Sequence, residues 1–231
     1  MVQTTLIILT RNEIEGVRET LKNIPFSAVD EYFAVDYKST DGTVAFFEKH
    51  HIPIVHQKNP GRGEAFLLAA KKAKGKYLIF FSPDGNENPN DIKKIIALCN
   101  NDNDLIIASR FMKGSRNEED NELLKFRKWA NQLFSLAVRF LWGGKITDNI
   151  NGYRGIKKDL FQKMQLDATG FAIEYQMTIR ALKLQAKLVE FPTIEKNRIG
   201  GNSHASSIPT GIEFLYLLKK EIAIGTRFLK K

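Results

Sequence analysis

The run Tyr77-Leu-Ile-Phe-Phe81 is apolar without a break and stops at Ser82-Pro83-Asp84-Gly85-Asn86, a string of turn formers. A strand apolar on both faces belongs inside a sheet covered on both sides, as parallel sheets are, so this run directs the chain to an α/β fold. The turn then sets a carboxylate, Asp84, just past the carboxyl end of a central strand. Open α/β sheets bind their ligands there. Taken alone, Asp84-Gly85 reads equally well as a plain tight turn.

The flanking chain repeats the pattern. Thr5-Leu-Ile-Ile-Leu-Thr10, Tyr32-Phe-Ala-Val-Asp36, Ile52-Pro-Ile-Val-His56 and Asp104-Leu-Ile-Ile-Ala-Ser109 read as further strands, with Pro53 marking an edge or a strand start. Ile14, Val17, Leu21 and Ile24 fall at helical spacing, and helices are expected near 43–48, 64–74 and 90–100, the last capped by Asn90-Asp91. Strands alternating with helices give βαβ units and a mostly parallel central sheet flanked by helices.

Beyond residue 110 the pattern changes. The polar segment 111–121 reads as a mobile loop or lid. Residues 122–142 read as one long helix, apolar nearly all round at its end, which fits either a core helix or a face against lipid. A turn-rich stretch at 145–158 with one short strand, a helix at 172–185 and a strand at 187–191 follow. The basic loop 194–207 leads into a C-terminal amphipathic helix carrying Lys219, Lys220, Arg227, Lys230 and Lys231. That helix either packs on its own domain or docks on an anionic membrane surface.

Composition narrows the partners. The chain has 231 residues, 43% apolar and 26% charged, enough for a sizeable core. Cys99 is the sole cysteine, which excludes an internal disulfide and favours a reducing compartment. Leu6-Ile-Ile-Leu9 is too short for a signal-peptide core, and no stretch nears the roughly 18 apolar residues of a spanning helix. The expected location is cytoplasmic, or peripheral on the cytoplasmic membrane face. A net charge of +9 points to anionic partners. No motif interleaving basic and aromatic residues supports nucleic acid, so none is expected.

The chemistry gathers at strand ends. The turns after the first, second and central strands carry Glu13, Asp36 and Asp84, and in a parallel sheet these ends share one rim. Carboxylates there fit hydroxyl recognition or a divalent metal. Asp84 and the amide oxygen of Asn86 offer oxygen ligands suited to Mg²⁺ or Mn²⁺ if substrate phosphates complete the shell. The loop Asn59-Pro-Gly-Arg-Gly63 opens a helix, so its amides and Arg62 are placed to face an anion. It is neither a dinucleotide fingerprint, since residue 66 is Phe66, nor a Walker A loop. His50, His51 and His56 lack ligand spacing and read as surface residues, and Trp129 and Trp142 as core or interfacial anchors.

Six motifs in order then resemble one family. Val35-Asp-Tyr-Lys-Ser-Thr-Asp-Gly-Thr43 resembles the Val-Asp-Asp-Gly-Ser-Thr-Asp-Gly-Thr motif of family 2 glycosyltransferases, and Thr10-Arg-Asn-Glu13 their first-strand turn. Ser82-Pro-Asp-Gly-Asn-Glu-Asn-Pro89 resembles their metal-binding DxD region, and Ala108-Ser-Arg110 their Gly-Ser-Arg. Ile146-Thr-Asp-Asn-Ile-Asn-Gly-Tyr-Arg154 and Arg198-Ile-Gly-Gly-Asn-Ser203 resemble motifs of the dolichyl-phosphate mannose synthase branch. The chain departs from the pattern at Ser82, Tyr37, Lys38, His204 and Gln176, with Glu174 beside the last.

The resemblance implies a single GT-A domain over 1–207, with a nucleotide-sugar half (1–110) and an acceptor half (111–207), followed by the helix 208–231. It implies an inverting, metal-dependent transfer of a sugar from GDP-mannose or a UDP-hexose to a polyprenyl or dolichyl phosphate. Donor contacts are then expected from Leu9, Thr10, Arg11, Glu13, Val35, Asp36, Arg62, Ser82, Pro83 and Asp84. Asp84 and Asn86 would hold Mg²⁺ or Mn²⁺, and Asp84 and Arg110 would be catalytic. Acceptor and phosphate contacts are expected from Arg110, Arg127, Asn131, Glu174, Arg198, Ser203 and His204. Asp148 and Arg154 either pair with each other or meet the ligand. Ser82 and Tyr37 keep open a weakly catalytic sugar-nucleotide-binding protein, and a non-lipid acceptor is the other alternative.

Overall fold

A computed structural model describes residues 3–121, 125–199 and 207–230. Its strands are β1 (Thr4–Thr10), β2 (Glu31–Asp36), β3 (Ile54–His56), β4 (Tyr77–Phe81), β5 (Leu105–Ser109), β6 (Arg154–Lys157) and β7 (Leu188–Pro192). The helices before β5 are α1 (Ile14–Thr20), α2 (Thr43–Lys49), α3 (Arg62–Lys72) and α4 (Asp91–Asn100). Those after it are α5 (Phe126–Trp142), α6 (Lys158–Lys163), α7 (Ile173–Lys183) and α8 (Ser207–Ile224).

The strands form one sheet in the order β3-β2-β1-β4-β6-β5-β7. Among the described strands only β6 runs antiparallel, inserted between β4 and β5. The alternating side chains of each inner strand feed two cores. Ile7, Leu9, Leu78, Phe80, Leu105 and Ile107 pack under α3, α6 and α7, where Phe66 stacks on Phe80 with centroids 4.0 Å apart. Leu6, Ile8, Ile79, Phe81 and Ile106 pack on the opposite face with Val17, Phe47, Ile92 and Ile95 from α1, α2 and α4. This double coverage is why the strands read as unbroken apolar runs. The result is a single α/β domain, as the sequence predicts.

A third cluster joins α5, α7 and α8 through Val138, Tyr175, Ile179, Phe214 and Leu217. Behind it Glu221 of α8 is fully buried and accepts hydrogen bonds from Arg180 Nε (2.9 Å), Gln176 Nε2 (3.0 Å) and Lys183 Nζ (2.6 Å). Breaking such a buried ion cluster costs far more than breaking a surface pair, so α8 is bolted to the domain. Its outward residues Ile208, Ile212, Leu215 and Tyr216 are exposed, as are Trp129, Leu133, Leu136 and Phe140 of α5. Among the described residues, no helix is long and apolar enough to cross a membrane.

Several local expectations are corrected. Segment 111–121 is not a free loop: Arg116 N–H donates to Thr193 O (3.0 Å) and Asn117 Nδ2 to Glu195 Oε2 (2.8 Å), ending in a short 3-10 turn at Glu118–Asn121. The helix read over 122–142 begins at Phe126, with 122–124 outside the described residues. Asn90 makes no side-chain cap on α4; the neighbouring Asn88 carboxamide accepts the Asn90 N–H instead. The outer face of the C-terminal helix is mainly apolar, with exposed Lys219 beside it, Lys220 paired with Asp167 and exposed Arg227 bonded to the last carbonyls of α8.

Candidate active site

The sheet order reverses between β1 and β4, and a crevice opens at their carboxyl ends, as expected of a topological switch point. The turns after β1 and β2 are laced together across it. Asp41 accepts from Ile14 N–H (2.9 Å) and Thr43 N–H (3.0 Å), while Thr43 Oγ1 accepts from Glu13 N–H (3.0 Å). Gly16 lets α1 approach the β4 turn, because a Cβ there would sit 2.2 Å from Pro83 O. The backbone is thus fixed before any ligand arrives.

Arg198 spans the crevice. Its Nη1 donates to Asp84 Oδ2 at 2.9 Å and its Nη2 to Glu13. The segment carrying it is tied to the β4 turn, with Ile199 N–H on Asp84 O (2.8 Å) and Lys196 N–H on Asn86 O (3.0 Å). Burial pushes the Glu13 carboxyl up to about 7 even beside this guanidinium, and burial raises Asp84 as well. Burial and the Asp84 charge hold Glu87 well above the ordinary carboxylate range.

Two further arginines face the same space. Arg62, at the start of α3, pairs with Glu174 at the start of α7 and lies over the Phe66 ring. Arg110, directly after β5, is held bidentately by Asp148, at 2.7 and 3.0 Å, with Glu195 at 3.6 Å. Burial works against the Arg110 charge, but Asp148 and Glu195 overcome it and raise its pKa. Arg127 of α5 is 46% exposed and meets Glu118 and Glu119. Asp148 therefore does not pair with Arg154. Arg154 is fully buried and donates to the Asn151 and Glu174 carbonyls, and burial lowers its pKa to about 10.

Glu13, Arg62, Asp84, Arg110, Arg127, Glu174, Glu195 and Arg198 line a cavity of about 580 Å³. Of the expected residues, Leu9, Thr10, Arg11, Glu13, Val35, Arg62, Ser82, Asp84, Asn86, Arg110, Arg127, Asn131, Glu174 and Arg198 line it. Asp36 and Pro83 are absent from its lining. The Asp36 carboxylate is 1% exposed and occupied by Ser39 N–H (3.0 Å), the Ser39 hydroxyl and Thr10 Oγ1. It shapes the turn rather than facing the crevice. Ser203 and His204 lie outside the described residues. Sequence reasoning noted Tyr37 only as a departure from the motif, not as a cavity wall whose ring carries the Arg11 guanidinium at 5.2 Å, and it missed the carboxylates Glu87 and Glu195. It also missed the far wall, formed by Phe126, Phe134, Phe171 and Phe214. The motif position of Tyr37 and the short spacing from Asp84 to Glu87 were the available signals.

A divalent cation fits the donor set. Asn86 Oδ1 is buried without a hydrogen-bond partner among the described residues, while its Nδ2 donates to Glu118 Oε2 (2.9 Å) and its backbone N–H to Asp84 Oδ1 (3.1 Å). Oxygen-only ligands suit Mg²⁺ or Mn²⁺. No group of three or more His, Cys, Asp or Glu side chains forms a metal cage among the described residues, so phosphate oxygens would have to complete the shell.

A family model described as glycosyl transferase family 2 matches residues 5–165. Glycosyltransferase AglJ of Haloferax volcanii is 25% identical over 194 residues, covering 84% of this chain but 63% of that protein, so the chain spans less than two thirds of this relative. Undecaprenyl-phosphate mannosyltransferase of Micrococcus luteus is 27% identical over 213 residues, covering 87% of this chain and 86% of the relative. Glucosyl-3-phosphoglycerate synthase of Mycobacterium tuberculosis, solved with Mn²⁺ and UDP-glucose, superposes with a TM-score of 0.68 at 17% identity, over 97% of this chain and 77% of that one. This last likeness is one of fold.

Proposed function

The chain belongs to glycosyltransferase family 2, and from that premise we propose that it moves a hexose, with inversion, from a nucleoside diphosphate sugar to a polyprenyl phosphate. The donor is GDP-mannose or a UDP-hexose. One observation carries the reading: a single cavity runs from the charged rim at β1 and β4 to aromatic walls on α5 and α8. A donor diphosphate needs the first end, and an isoprenoid phosphate needs both.

In this reading Leu9, Thr10, Arg11 and Val35 receive the nucleoside, with Tyr37 as an added aromatic wall. Asp84 and Asn86 hold Mg²⁺ or Mn²⁺, which when bound neutralises charge developing on the leaving diphosphate. Arg198 stands on Asp84 as a substitute cation and moves onto phosphate when the donor enters, because guanidinium forks match phosphate oxygens. Arg110 and Arg127 orient the acceptor phosphate, Arg110 on the rigid support of Asp148. A phosphate oxygen attacks the anomeric carbon on the face opposite the diphosphate. The new C–O bond forms as the bond to the diphosphate breaks, and an already ionised phosphate has no proton to give up. Positioning and electrostatics then supply the rate, without a general base.

The outer face of α5 and α8 meets a lipid surface in this reading, which puts the cavity mouth where an isoprenoid phosphate presents its headgroup. Phe140 is 88% exposed and Tyr216 71%, with Lys125, Arg139, Lys219 and Arg227 on or beside the same helices. Apolar side chains flanked by cations are what an anionic interface recruits. A second reading, a sugar-nucleotide-binding protein without turnover, draws on Ser82 and on the guanidinium held by Asp84.

The test is nucleoside diphosphate release from a panel of sugar nucleotides with Mg²⁺ or Mn²⁺, with and without polyprenyl phosphate, for wild type and Asp84→Ala. Lipid-dependent release lost in Asp84→Ala is the expected result. Donor binding without release under any condition supports the second reading instead.

A further inference from the structure

The family's metal motif carries two aspartates, and this chain has Ser82 at the first position and Glu87 three residues past the second. The chain between them turns back sharply. Gly85 has φ +93, a conformation L side chains rarely adopt, and a Cβ there would lie 2.5 Å from the Ile199 side chain. This reversal brings residue 87 back to the end of β4. Glu87 Oε2 accepts the Ser82 N–H at 2.7 Å, so its carboxylate rests on the backbone of the very residue that lacks one. Ser82, Asp84, Asn86 and Glu87 all line the cavity. Among the described residues, no lysine or arginine forms an ion pair with Glu87. A divalent cation bound between two carboxylates that line one cavity favours their ionised forms. The buried, unpartnered Asn86 Oδ1 adds a third oxygen between them in sequence.

We propose that Glu87 supplies the metal-ligating carboxylate that Ser82 lacks, so that Asp84, Glu87 and Asn86 Oδ1 together hold the divalent cation of the donor diphosphate. This rests on the metal-dependent transfer proposed above. The ligand has moved along the chain while the oxygen set stays at the end of β4. Ser82 is then not a lesion, because the carboxylate it lacks is supplied five residues along the chain.

The experiment is Mn²⁺ binding to the full chain, read as loss of the free-ion electron paramagnetic resonance signal, with UDP or GDP present. Glu87→Gln keeps an oxygen to accept the Ser82 N–H while removing the charge. It should weaken Mn²⁺ binding about tenfold or more, the scale on which metal sites respond to lost partners. Asp84→Asn should weaken it at least as much. The double variant Ser82→Asp/Glu87→Gln should recover most of the affinity, which a merely structural role for Glu87 would not produce. Wild-type affinity in Glu87→Gln alongside loss in Asp84→Asn overturns the inference and leaves the metal-dependent reading intact. A double variant as weak as Glu87→Gln also overturns it. No Mn²⁺ binding by wild type with either nucleotide overturns both.

Discussion

The rim at β1 and β4 and the outer face of α5 and α8 are opposites. At the rim most charges are answered by another: Glu13 and Asp84 by Arg198, Glu174 by Arg62, Asp148 by Arg110. On the helical face large apolar side chains stand exposed with no partner among the described residues. Burying polar groups is tolerable only when they are paired, whereas exposed apolar area waits for something to cover it. One region is therefore built of paired charges, and the other leaves large apolar side chains exposed. The two are joined by one cavity.

The largest effect expected from disturbing the rim is that of Asp84→Ala. Steady-state turnover should fall by more than about a thousandfold, since the substitution removes the cation site at the leaving group. Retained turnover would detach the chemistry from the rim. Next comes the bolt behind the helical face. Glu221→Gln leaves Lys183 without its carboxylate and Arg180 with only the more distant Asp167 (3.5 Å), and should cost about 3 kcal/mol in urea unfolding. Burial opposes the Glu221 charge, but Arg180 and Lys183 prevail and lower its pKa. Its contribution is thus full above the unfolded carboxyl value and is lost as pH falls through the lower folded one.

Smaller again is the effect of charging the face itself. Leu133→Glu with Phe140→Glu should weaken flotation with anionic vesicles about tenfold, while thermal melting and nucleotide binding stay at wild-type values, because both side chains are exposed. Unchanged flotation would remove lipid as the partner of this face. The smallest effect belongs to Glu13. Its folded value of about 7 exceeds the ordinary 4.5, so the folded chain holds the extra proton, and stability should decline as pH rises from about 4.5 to 7. About 1 kcal/mol is expected, given the partial exposure and the Arg198 partner. Calorimetric melting across that range checks it, and Glu13→Gln should flatten the slope.

The sheet was legible in the sequence because its inner strands are buried on both faces and end in turn formers. The rim was legible because parallel strands bring their carboxyl ends together, which is how Glu13 and Asp84 were expected on one crevice; Arg110 came from the resemblance of Ala108-Ser-Arg110. Asp36 misled because a strand-end carboxylate can be consumed by its own turn, here by Ser39 and Thr10. The placement of β6 between β4 and β5 depends on pairings distant in sequence, which periodicity does not encode. The partner of Asp148 was missed for the same reason: Arg110 and Asp148 are 38 residues apart and meet only in the folded sheet. Glu87 was hidden because its role depends on a side chain folding back through a tight turn.

The most direct measurement of the joined rim and face follows a labelled sugar from GDP-mannose and from UDP-hexoses, with Mn²⁺, in the presence of vesicles containing polyprenyl phosphate. The account predicts that label from one donor enters the lipid fraction, with release of the nucleoside diphosphate and inversion at the anomeric carbon. Label that stays in water-soluble phosphorylated products, at rates unchanged by the vesicles, would contradict it.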